Sequence, residues 1–171
     1  MSKFAIDLGS LRQGFTRSEL EAQAVDLDLP SDGWAGPIRG VFDVQRTGET
    51  VSVRGELTAS ARLECVRCLA AFERPVRVPF EVYAERAGSG RPLEEEALER
   101  DDYMKFHDGR QLDLREEARE TLLLELPMSP RCREGCKGLC PTCGADLNEG
   151  PCGCSRESAG PPPGPPERGG E

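Results

Sequence analysis

The chain has little of what most enzymes and membrane proteins carry. Among 171 residues there is one histidine, aromatic side chains make up 5% of the total, and no apolar run approaches the roughly 20 residues that span a bilayer. No GxxxxGK[ST], GxGxxG, GxSxG or HExxH motif is present. The N-terminal MSKFAIDLGS has no apolar segment behind a basic start, so it does not predict a secretory signal. These absences argue against catalysis and predict a soluble, cytoplasmic protein.

The chain also lacks a net positive charge. Its formal net charge is −9 and its pI is about 4.8, which argues against a protein that coats nucleic acid indiscriminately. The charge is uneven, because residues 39–80 hold seven Lys or Arg against five Asp or Glu, whereas residues 81–130 hold seven against fourteen. A local basic face is therefore compatible with the acidic total.

Alternating apolar residues predict a small antiparallel β-sheet or open barrel in the first half. From Val51 to Cys65 the apolar residues share one parity, and a second run of the same period covers residues 72–84. Two prolines in that second run push it toward a sheet edge or a bulge. KFAIDL and GVFDV each add a shorter strand. The CVRC sequence then falls at the turn that joins the two longest strands.

Two segments have helix-start signals. Thr16 and Glu19 have capping-box spacing, so a short helix is expected after them. Asp113 and Glu116 have the same spacing, and apolar residues follow at intervals of four until two prolines end the run. The members of that apolar stripe are Leu114, Ala118, Leu122 and Leu126. The fold class expected is α+β, with one or two helices packed on the sheet.

Composition divides the chain into four parts. Residues 1–87 form the β domain with the CVRC turn, residues 88–111 an acidic linker or loop, and residues 112–154 a helix with a cysteine-rich segment that packs back on the β domain. Residues 155–171 are dense in proline and glycine and predict a disordered tail. The acidic stretch is either an interaction loop or a solvated linker, and its composition favours the linker.

Eight cysteines are the most informative feature, because they fall in close pairs. The pairs are Cys65 and Cys68, Cys132 and Cys136, Cys140 and Cys143, and Cys152 and Cys154. In a reducing compartment such pairs indicate metal ligation in preference to disulfides, and thiolates are strong ligands for Zn²⁺. Structural zinc takes four ligands, so eight cysteines predict two complete zinc sites.

The grouping of these cysteines is an inference from their spacing. Cys140, Cys143, Cys152 and Cys154 close a loop at low entropic cost and are assigned to one site. Cys132 and Cys136 then complete a second site with Cys65 and Cys68. In the alternative grouping, Cys132 and Cys136 join Cys140 and Cys143.

Other uses of the thiols are weighed against zinc. They could be simply buried, or form a redox pair, but a thioredoxin-like CxxC lies at a helix start and CVRC leads into a strand. An iron–sulfur cluster is a closer rival, although neither the CxxCxxC nor the CxxxxCxxC spacing of ferredoxins occurs. His107, in KFHDGR, is read as a surface loop residue instead of a ligand or base.

Three blocks, LECVRCLAAFERPV, QLDLREEARETLLLELPMSPRC and CKGLCPTCGADLNEGPCGC, occur in an order that resembles the YceD family of large ribosomal RNA subunit accumulation proteins. The similarity covers roughly residues 1–154. The resemblance implies a non-enzymatic role in ribosome biogenesis that supports accumulation of large-subunit (23S) ribosomal RNA. Shorter family members keep CxRC and the pair after the helix but lack the GLCPxCG block, which supports one site made by Cys65, Cys68, Cys132 and Cys136.

The partner implied is precursor ribosomal RNA or a large-subunit ribosomal protein, with no membrane and no small-molecule substrate. If RNA is the ligand, the candidate contacts are Arg54, Arg62, Arg67, Arg74 and Arg77. If a basic ribosomal protein is the ligand, the candidates are Glu94, Glu95, Glu96, Asp101 and Asp102. The alternative function is a thiol-redox or zinc-sensing regulatory protein. A nuclease has no acid or base cluster to support it.

Overall fold

The computed structural model of the chain describes residues 4–87 and 104–154. Its centre is a long hairpin of strands β4 (Thr50–Glu64) and β5 (Ala71–Arg86), which pair antiparallel along their whole length. Val51, Val53 and Leu57 are buried along β4, and Val76 and Val78 are buried along β5. The parity of the apolar residues therefore gave the correct face, which we call the inner face of the sheet.

Five strands form the main sheet. Besides the central hairpin they are β2 (Gly14–Ala22), β3 (Ile38–Thr47) and β6 (Met104–His107), and the order across the sheet is β2-β3-β4-β5-β6. All neighbours are antiparallel except β5 and β6, which are parallel over Tyr83–Arg86. Among the described residues no ladder joins β2 to β6, so the sheet is open at both ends and the barrel alternative is not confirmed.

A second, two-stranded sheet pairs β1 (Ala5–Asp7) with β7 (Gln111–Asp113) and leads into the helix α1 (Arg115–Glu125). The helix packs on β5 and on the short 3-10 helix Ala24–Leu27, and a second 3-10 turn spans Ser31–Gly33. Leu114, Ala118 and Leu122 are fully buried, as their spacing predicted, and Leu126 is partly buried against the same core. The prolines after the stripe coincide with the end of the helix, and the chain then runs toward the CVRC turn.

The helix-start signal at Thr16 and Glu19 is wrong. Both residues lie in β2, whose residues alternate between half-buried and exposed from Gly14 to Leu20. Pairing with β3 satisfies the backbone of this segment along nine residues, which outweighs a local capping pattern. Helical structure appears only after the strand, in the 3-10 turn.

The predicted cap of α1 is also shifted. The N-cap residue is Leu114, and Asp113 accepts a hydrogen bond from the Arg115 N–H at 3.0 Å while its carboxylate also binds the Arg115 guanidinium. Asp113 is held in β7 by its pairing with Ala5, so the strand continues one residue beyond the expected boundary. The acidic Glu116 and Glu117 still lie in the first turn, where the helix dipole favours negative charge.

His107 is not a surface residue. Its side chain is buried at the end of β6, with 6% exposure. The Gly109 N–H donates to Nδ1 at 3.0 Å, so Nδ1 is the acceptor and Nε2 donates to the Glu49 carbonyl at 3.1 Å. A histidine whose two ring nitrogens are both hydrogen-bonded to the main chain, and which joins two loops, accounts for this position.

Candidate metal centres

The structure brings the cysteines together in two groups of four. In site A, Cys65 and Cys68 come from the β4–β5 turn, and Cys132 and Cys136 from the segment after α1. The four sulfurs lie within 4.8 Å of one another, and the Cys65–Cys136 and Cys68–Cys132 sulfurs are 3.7 Å apart. Cys65 and Cys136 are buried, while the other two are half-buried. Site A therefore joins parts of the chain that are 64 to 71 positions apart.

Site B is local in sequence and closer to solvent. It contains Cys140, Cys143, Cys152 and Cys154, whose sulfurs also lie within 4.8 Å of one another. Cys140 is buried, Cys143 is exposed and the other two are half-buried. The grouping matches the one that chain spacing favoured, and the alternative grouping is not what the structure has.

The two CxxC turns, CVRCLA and CPTCGA, have the same main-chain hydrogen bonds. In each, the N–H of the first cysteine donates to the carbonyl five positions on, at 2.9 Å from Cys65 and 2.8 Å from Cys140. The N–H four positions on returns to the carbonyl of that first cysteine, at 2.9 and 2.8 Å. The residue that supplies this second N–H, directly after the second cysteine, has a left-handed backbone in both turns: Leu69 has φ 59° and Gly144 has φ 72°. Glycine adopts this conformation without strain and leucine does not, so the first turn keeps a strained residue for the same geometry.

Main-chain N–H groups lower the pKa of one cysteine in site A. The N–H groups of Cys132 and Cys68 point at the Cys65 sulfur, which lowers the pKa of that thiol to about 6. Burial, together with hydrogen bonds to the neighbouring sulfurs, raises the pKa of Cys132 to about 12. Four sulfurs this close together cannot all ionise by themselves, because their charges repel. A bound cation would remove that repulsion and draw off the remaining protons.

Site B repeats this arrangement. The N–H groups of Cys143 and Thr142 lower the pKa of the Cys140 thiol to about 6. The Cys143 side chain, followed by burial, raises the pKa of Cys154 to about 12. Each site thus has one sulfur prepared as a thiolate at the start of its CxxC turn, which is the form that binds metals.

Distances test whether the residues fit a single ion. A disulfide needs sulfurs about 2.05 Å apart, so neither 3.7 Å contact is one. Four sulfurs at about 2.3 Å from one tetrahedral ion are separated by about 3.8 Å from each other. The shortest separations in site A agree with this edge, so each group of cysteines could hold a metal ion.

Asn148 links the two sites and was not identified from the sequence. It lies in the loop between the cysteine pairs of site B, yet its Nδ2 is 3.6 Å from the Cys136 sulfur of site A. Its Oδ1 accepts a hydrogen bond from the Lys137 N–H at 2.9 Å. The LN dipeptide in GADLNEG is the sequence signal, because asparagine can offer a donor and an acceptor at once.

Gly138 lets the chain between the sites pass close to the CVRC turn. It has φ 79°, and an added Cβ would lie 2.9 Å from the Arg67 carbonyl oxygen. That same oxygen accepts a hydrogen bond from the Leu139 N–H at 2.9 Å. Site B is therefore fastened to the turn that carries half of site A.

Three of the five candidate arginines lie on the outer face of the sheet, opposite the buried face. Each is exposed and each is already paired with a carboxylate on the neighbouring strand. The pairs are Arg54–Glu81 at 2.5 Å, Arg62–Glu73 at 3.6 Å and Arg77–Glu56 at 2.6 Å. Arg54 also contacts the Tyr83 hydroxyl and lies over its ring. Any RNA phosphate at these positions would compete with an existing partner.

The other two candidate arginines lie elsewhere. Arg67, in the CVRC turn, donates from Nη1 to the Cys136 carbonyl at 2.9 Å, so it supports site A. Arg74 pairs with the buried Ala61 in the sheet register and therefore lies on the inner side of the sheet, although Arg74 itself is exposed. The five arginines do not form one surface.

Two sets of predictions fall outside the described residues. The acidic candidates Glu94, Glu95, Glu96, Asp101 and Asp102 belong to residues 88–103, and the predicted disordered tail is residues 155–171. In the described ranges, 4–87 and 104–154, no helix has the length and apolar character that a membrane crossing requires.

Comparison with known proteins gives the family. The model of the family described as "Large ribosomal RNA subunit accumulation protein YceD" matches residues 53–162. An uncharacterized protein of Mycobacterium leprae is 34% identical over 124 residues, covering 72% of this chain and 55% of that protein. An uncharacterized protein of Mycobacterium tuberculosis is 35% identical over 109 residues, covering 63% and 50%.

A plant protein also matches over a shorter stretch. It is named large ribosomal RNA subunit accumulation protein YCED homolog 1, chloroplastic, of Arabidopsis thaliana, and is 38% identical over 48 residues, or 28% of this chain and 15% of that protein. The chain spans about half the length of the mycobacterial relatives, and no solved structure matches it significantly. The family match covers more than half of the chain, including all eight cysteines. The chain belongs to the YceD family of large ribosomal RNA subunit accumulation proteins.

Proposed function

We propose that both sites bind structural Zn²⁺ and that the protein is a non-catalytic ribosome biogenesis factor that supports accumulation of large-subunit (23S) ribosomal RNA. The observation that carries this proposal is the pair of four-cysteine groups, with sulfur spacing suited to one tetrahedral ion, in a chain of this family. The family and the plant relative are both named for large-subunit RNA accumulation. The cytoplasm, where bacterial ribosomes are assembled, is the expected place of action.

The separation of the sulfurs favours a single metal ion over an iron–sulfur cluster. An iron–sulfur cluster places several iron atoms and bridging sulfides between its cysteine ligands, so those ligands must stand farther apart than around a single ion. All sulfur separations here are within 4.8 Å, and Zn²⁺ prefers four thiolates in a tetrahedron. The proposed ligands are Cys65, Cys68, Cys132 and Cys136 in site A, and Cys140, Cys143, Cys152 and Cys154 in site B.

The ligand sets argue for structural roles. Catalytic zinc keeps an open position for water or substrate, whereas four cysteines fill every position of a tetrahedral ion. Site A would clamp the β4–β5 turn to the segment after α1, across at least 64 positions of sequence. The expected result is a rigid binding surface at this end of the sheet, which contacts precursor RNA or a ribosomal protein.

The decisive experiment combines metal analysis with a genetic test. Native mass spectrometry of purified protein is expected to give two Zn²⁺ per chain. Cells depleted of the protein are expected to accumulate less 23S RNA, and tagged protein is expected to co-sediment with large-subunit precursors in sucrose gradients. The proposal would be contradicted if natively purified protein contained no bound metal, or if the amount of 23S RNA stayed unchanged after depletion.

A redox or zinc-sensing role remains the second candidate, because Cys143 in site B is exposed. It predicts that peroxide at low concentration releases one Zn²⁺ and changes the association with ribosomal particles. A structural role predicts that both ions and the association survive the same treatment. Measuring released zinc with a chromogenic chelator, alongside gradient sedimentation, separates the two.

A further inference from the structure

A groove of about 500 Å³ lies between the sheet and the segment after α1. We call it the arginine groove, and its lining residues are Arg74, Ser129, Arg131, Arg133 and Glu134. Arg74 comes from β5 and lies on the inner side of the sheet, whereas the other four residues follow the helix. Two remote parts of the chain thus bring three arginine residues to one depression.

None of these three arginines has a carboxylate partner, which sets them apart from the paired arginines of the outer face. Over residues 4–87 and 104–154, no ion pair within 4.0 Å includes Arg74, Arg131 or Arg133. The chain as a whole has 31 acidic residues against 22 basic ones, so carboxylates are not scarce. Glu134, which also lines the groove, does not pair with them and offsets only part of their charge. Three like charges that converge with only partial internal compensation suit an external anion.

Site A holds the groove in shape. Arg131 and Arg133 lie on either side of Cys132, and the Arg133 carbonyl accepts a hydrogen bond from the Cys136 N–H at 3.2 Å. The Val66 N–H of the CVRC turn donates to the Pro130 carbonyl at 2.9 Å, which fixes the start of the same segment. The positions of these two arginines therefore depend on the clamp between the turn and the segment.

We propose that the arginine groove binds the phosphate backbone of folded large-subunit ribosomal RNA. The proposal rests on the function proposed above and specifies its contact surface. Guanidinium groups bind phosphate oxygens through two parallel N–H donors, and the Ser129 hydroxyl adds a further donor. Among the residues that the structure describes, no aromatic side chain lines the groove, so these residues offer no platform for stacked bases. A basic ribosomal protein is disfavoured because its charge has the same sign.

The test is RNA binding by the zinc-loaded full chain, measured by filter binding to 23S RNA transcribed in vitro at several salt concentrations. The triple variant Arg74→Gln, Arg131→Gln, Arg133→Gln is expected to bind at least about tenfold more weakly at low salt. Its plot of log affinity against log salt should be shallower by about 2 to 3, since each lost duplex phosphate contact removes about 0.9 from the slope. Glu134→Gln should bind about two- to fivefold more tightly, a gain that misfolding cannot produce.

Two further triple variants, with the same loss of three charges, complete the design. Arg17, Arg39 and Arg86 are paired with carboxylates and do not line the arginine groove, so their change to glutamine should leave affinity within about twofold. The same change at Arg54, Arg62 and Arg77 tests the outer face. Zinc content and circular dichroism of every variant verify the fold.

The outcomes are distinct. A larger loss of affinity in the outer-face variant than in the groove variant overturns the groove assignment. Wild-type protein that co-sediments with precursor particles but does not bind the transcript, or that binds an acidic peptide in its place, overturns the RNA groove and leaves the proposed function intact. Wild-type protein that neither binds RNA nor co-sediments removes the proposed function as well.

Discussion

Removing a metal ion from site A should destabilise the whole sheet, whereas removing one from site B should not. The perturbation with the least damage to the core is Cys68→Ser with Cys132→Ser, because it leaves the two buried cysteines of site A in place. These two residues are 64 positions apart. Treating the metal as a cross-link of that span, the loop-closure relation gives a stabilisation of about 4 kcal/mol. That is a large share of the roughly 5–15 kcal/mol by which domains are stable.

The matched variant for site B is Cys143→Ser with Cys154→Ser. A metal ion in site B would close only a short local loop outside the hydrophobic core. Its loss should therefore lower the free energy of unfolding of the sheet by less than about 1 kcal/mol. Trp34 makes the measurement selective for the sheet, because it is the only tryptophan, is buried and bridges to Ala61 of β4.

Urea unfolding followed by Trp34 fluorescence is therefore the assay. With a slope of roughly 2 kcal/mol per molar urea, the site A variant should unfold about 2 M earlier than wild type, and the site B variant within about 0.5 M of it. Each variant should retain one Zn²⁺, and wild type stripped by a chelator should follow the site A variant. Equal shifts in the two variants, or no shift for site A, would refute the idea that the long-range clamp stabilises the sheet.

Single contacts at the two sites and in the core should each have a measurable effect. Asn148→Asp keeps the oxygen that accepts a main-chain hydrogen bond but loses Nδ2, which lies near the site A sulfur and also donates to Asp146 Oδ1 at 2.6 Å. Competition with a chromogenic chelator should show zinc bound about 10- to 100-fold more weakly. Adding Asp146→Asn removes the repulsion between the two carboxylates, and wild-type affinity in that double variant would show that the sulfur contact is incidental. Leu69→Gly should leave the urea midpoint measured with Trp34 unchanged or raise it slightly, because glycine adopts the left-handed conformation without strain. Gly144→Val should weaken metal binding at site B by about 1 to 2 kcal/mol. Similar losses in both variants would show that left-handed strain does not explain the effect of either substitution. Leu122→Ala, at a fully buried helix position, should lower the free energy of unfolding by about 2 to 5 kcal/mol in the same urea assay. Leu124→Ala, at an exposed position of the same helix, should change it by less than about 0.5 kcal/mol. Comparable effects of the two substitutions would show that the buried face of the helix is assigned wrongly.

The central hairpin could be predicted because its signal is long and local. From Val51 to Cys65 the alternation runs through a whole strand, and a strand of that length has one possible inner face. The burial of His107 could not be predicted, because it depends on main-chain partners supplied by two separate loops. The strand at Thr16 was missed for a related reason: its pairing with β3 is a tertiary contact, and a four-residue capping pattern carries no information about it.

The spacing of the cysteines predicted how they group, but nothing in the sequence predicted which arginines are paired with carboxylates. Arg54 and Arg62 face Glu81 and Glu73 directly in the register of β4 and β5, so their pairing follows only once the register is known. The convergence of Arg74 with the segment after the helix requires the path of the chain beyond α1. Sequence alone therefore identified the residue type that binds phosphate, but selected mostly members that are already paired.

Site A also offers a reason for the arginines to converge without carboxylate partners. Four thiolates around one divalent ion leave a net negative charge, and Arg131 and Arg133 flank one of the proposed ligands. That charge can offset part of the repulsion among the three arginines from a distance, because among the described residues no hydrogen bond joins Arg131 or Arg133 to a site A sulfur and their N–H donors stay free for phosphate. A carboxylate at the same place would stabilise the arginines equally well but would occupy the donors that RNA needs. Metal loss from site A should accordingly abolish RNA binding at urea concentrations where Trp34 still reports a folded sheet.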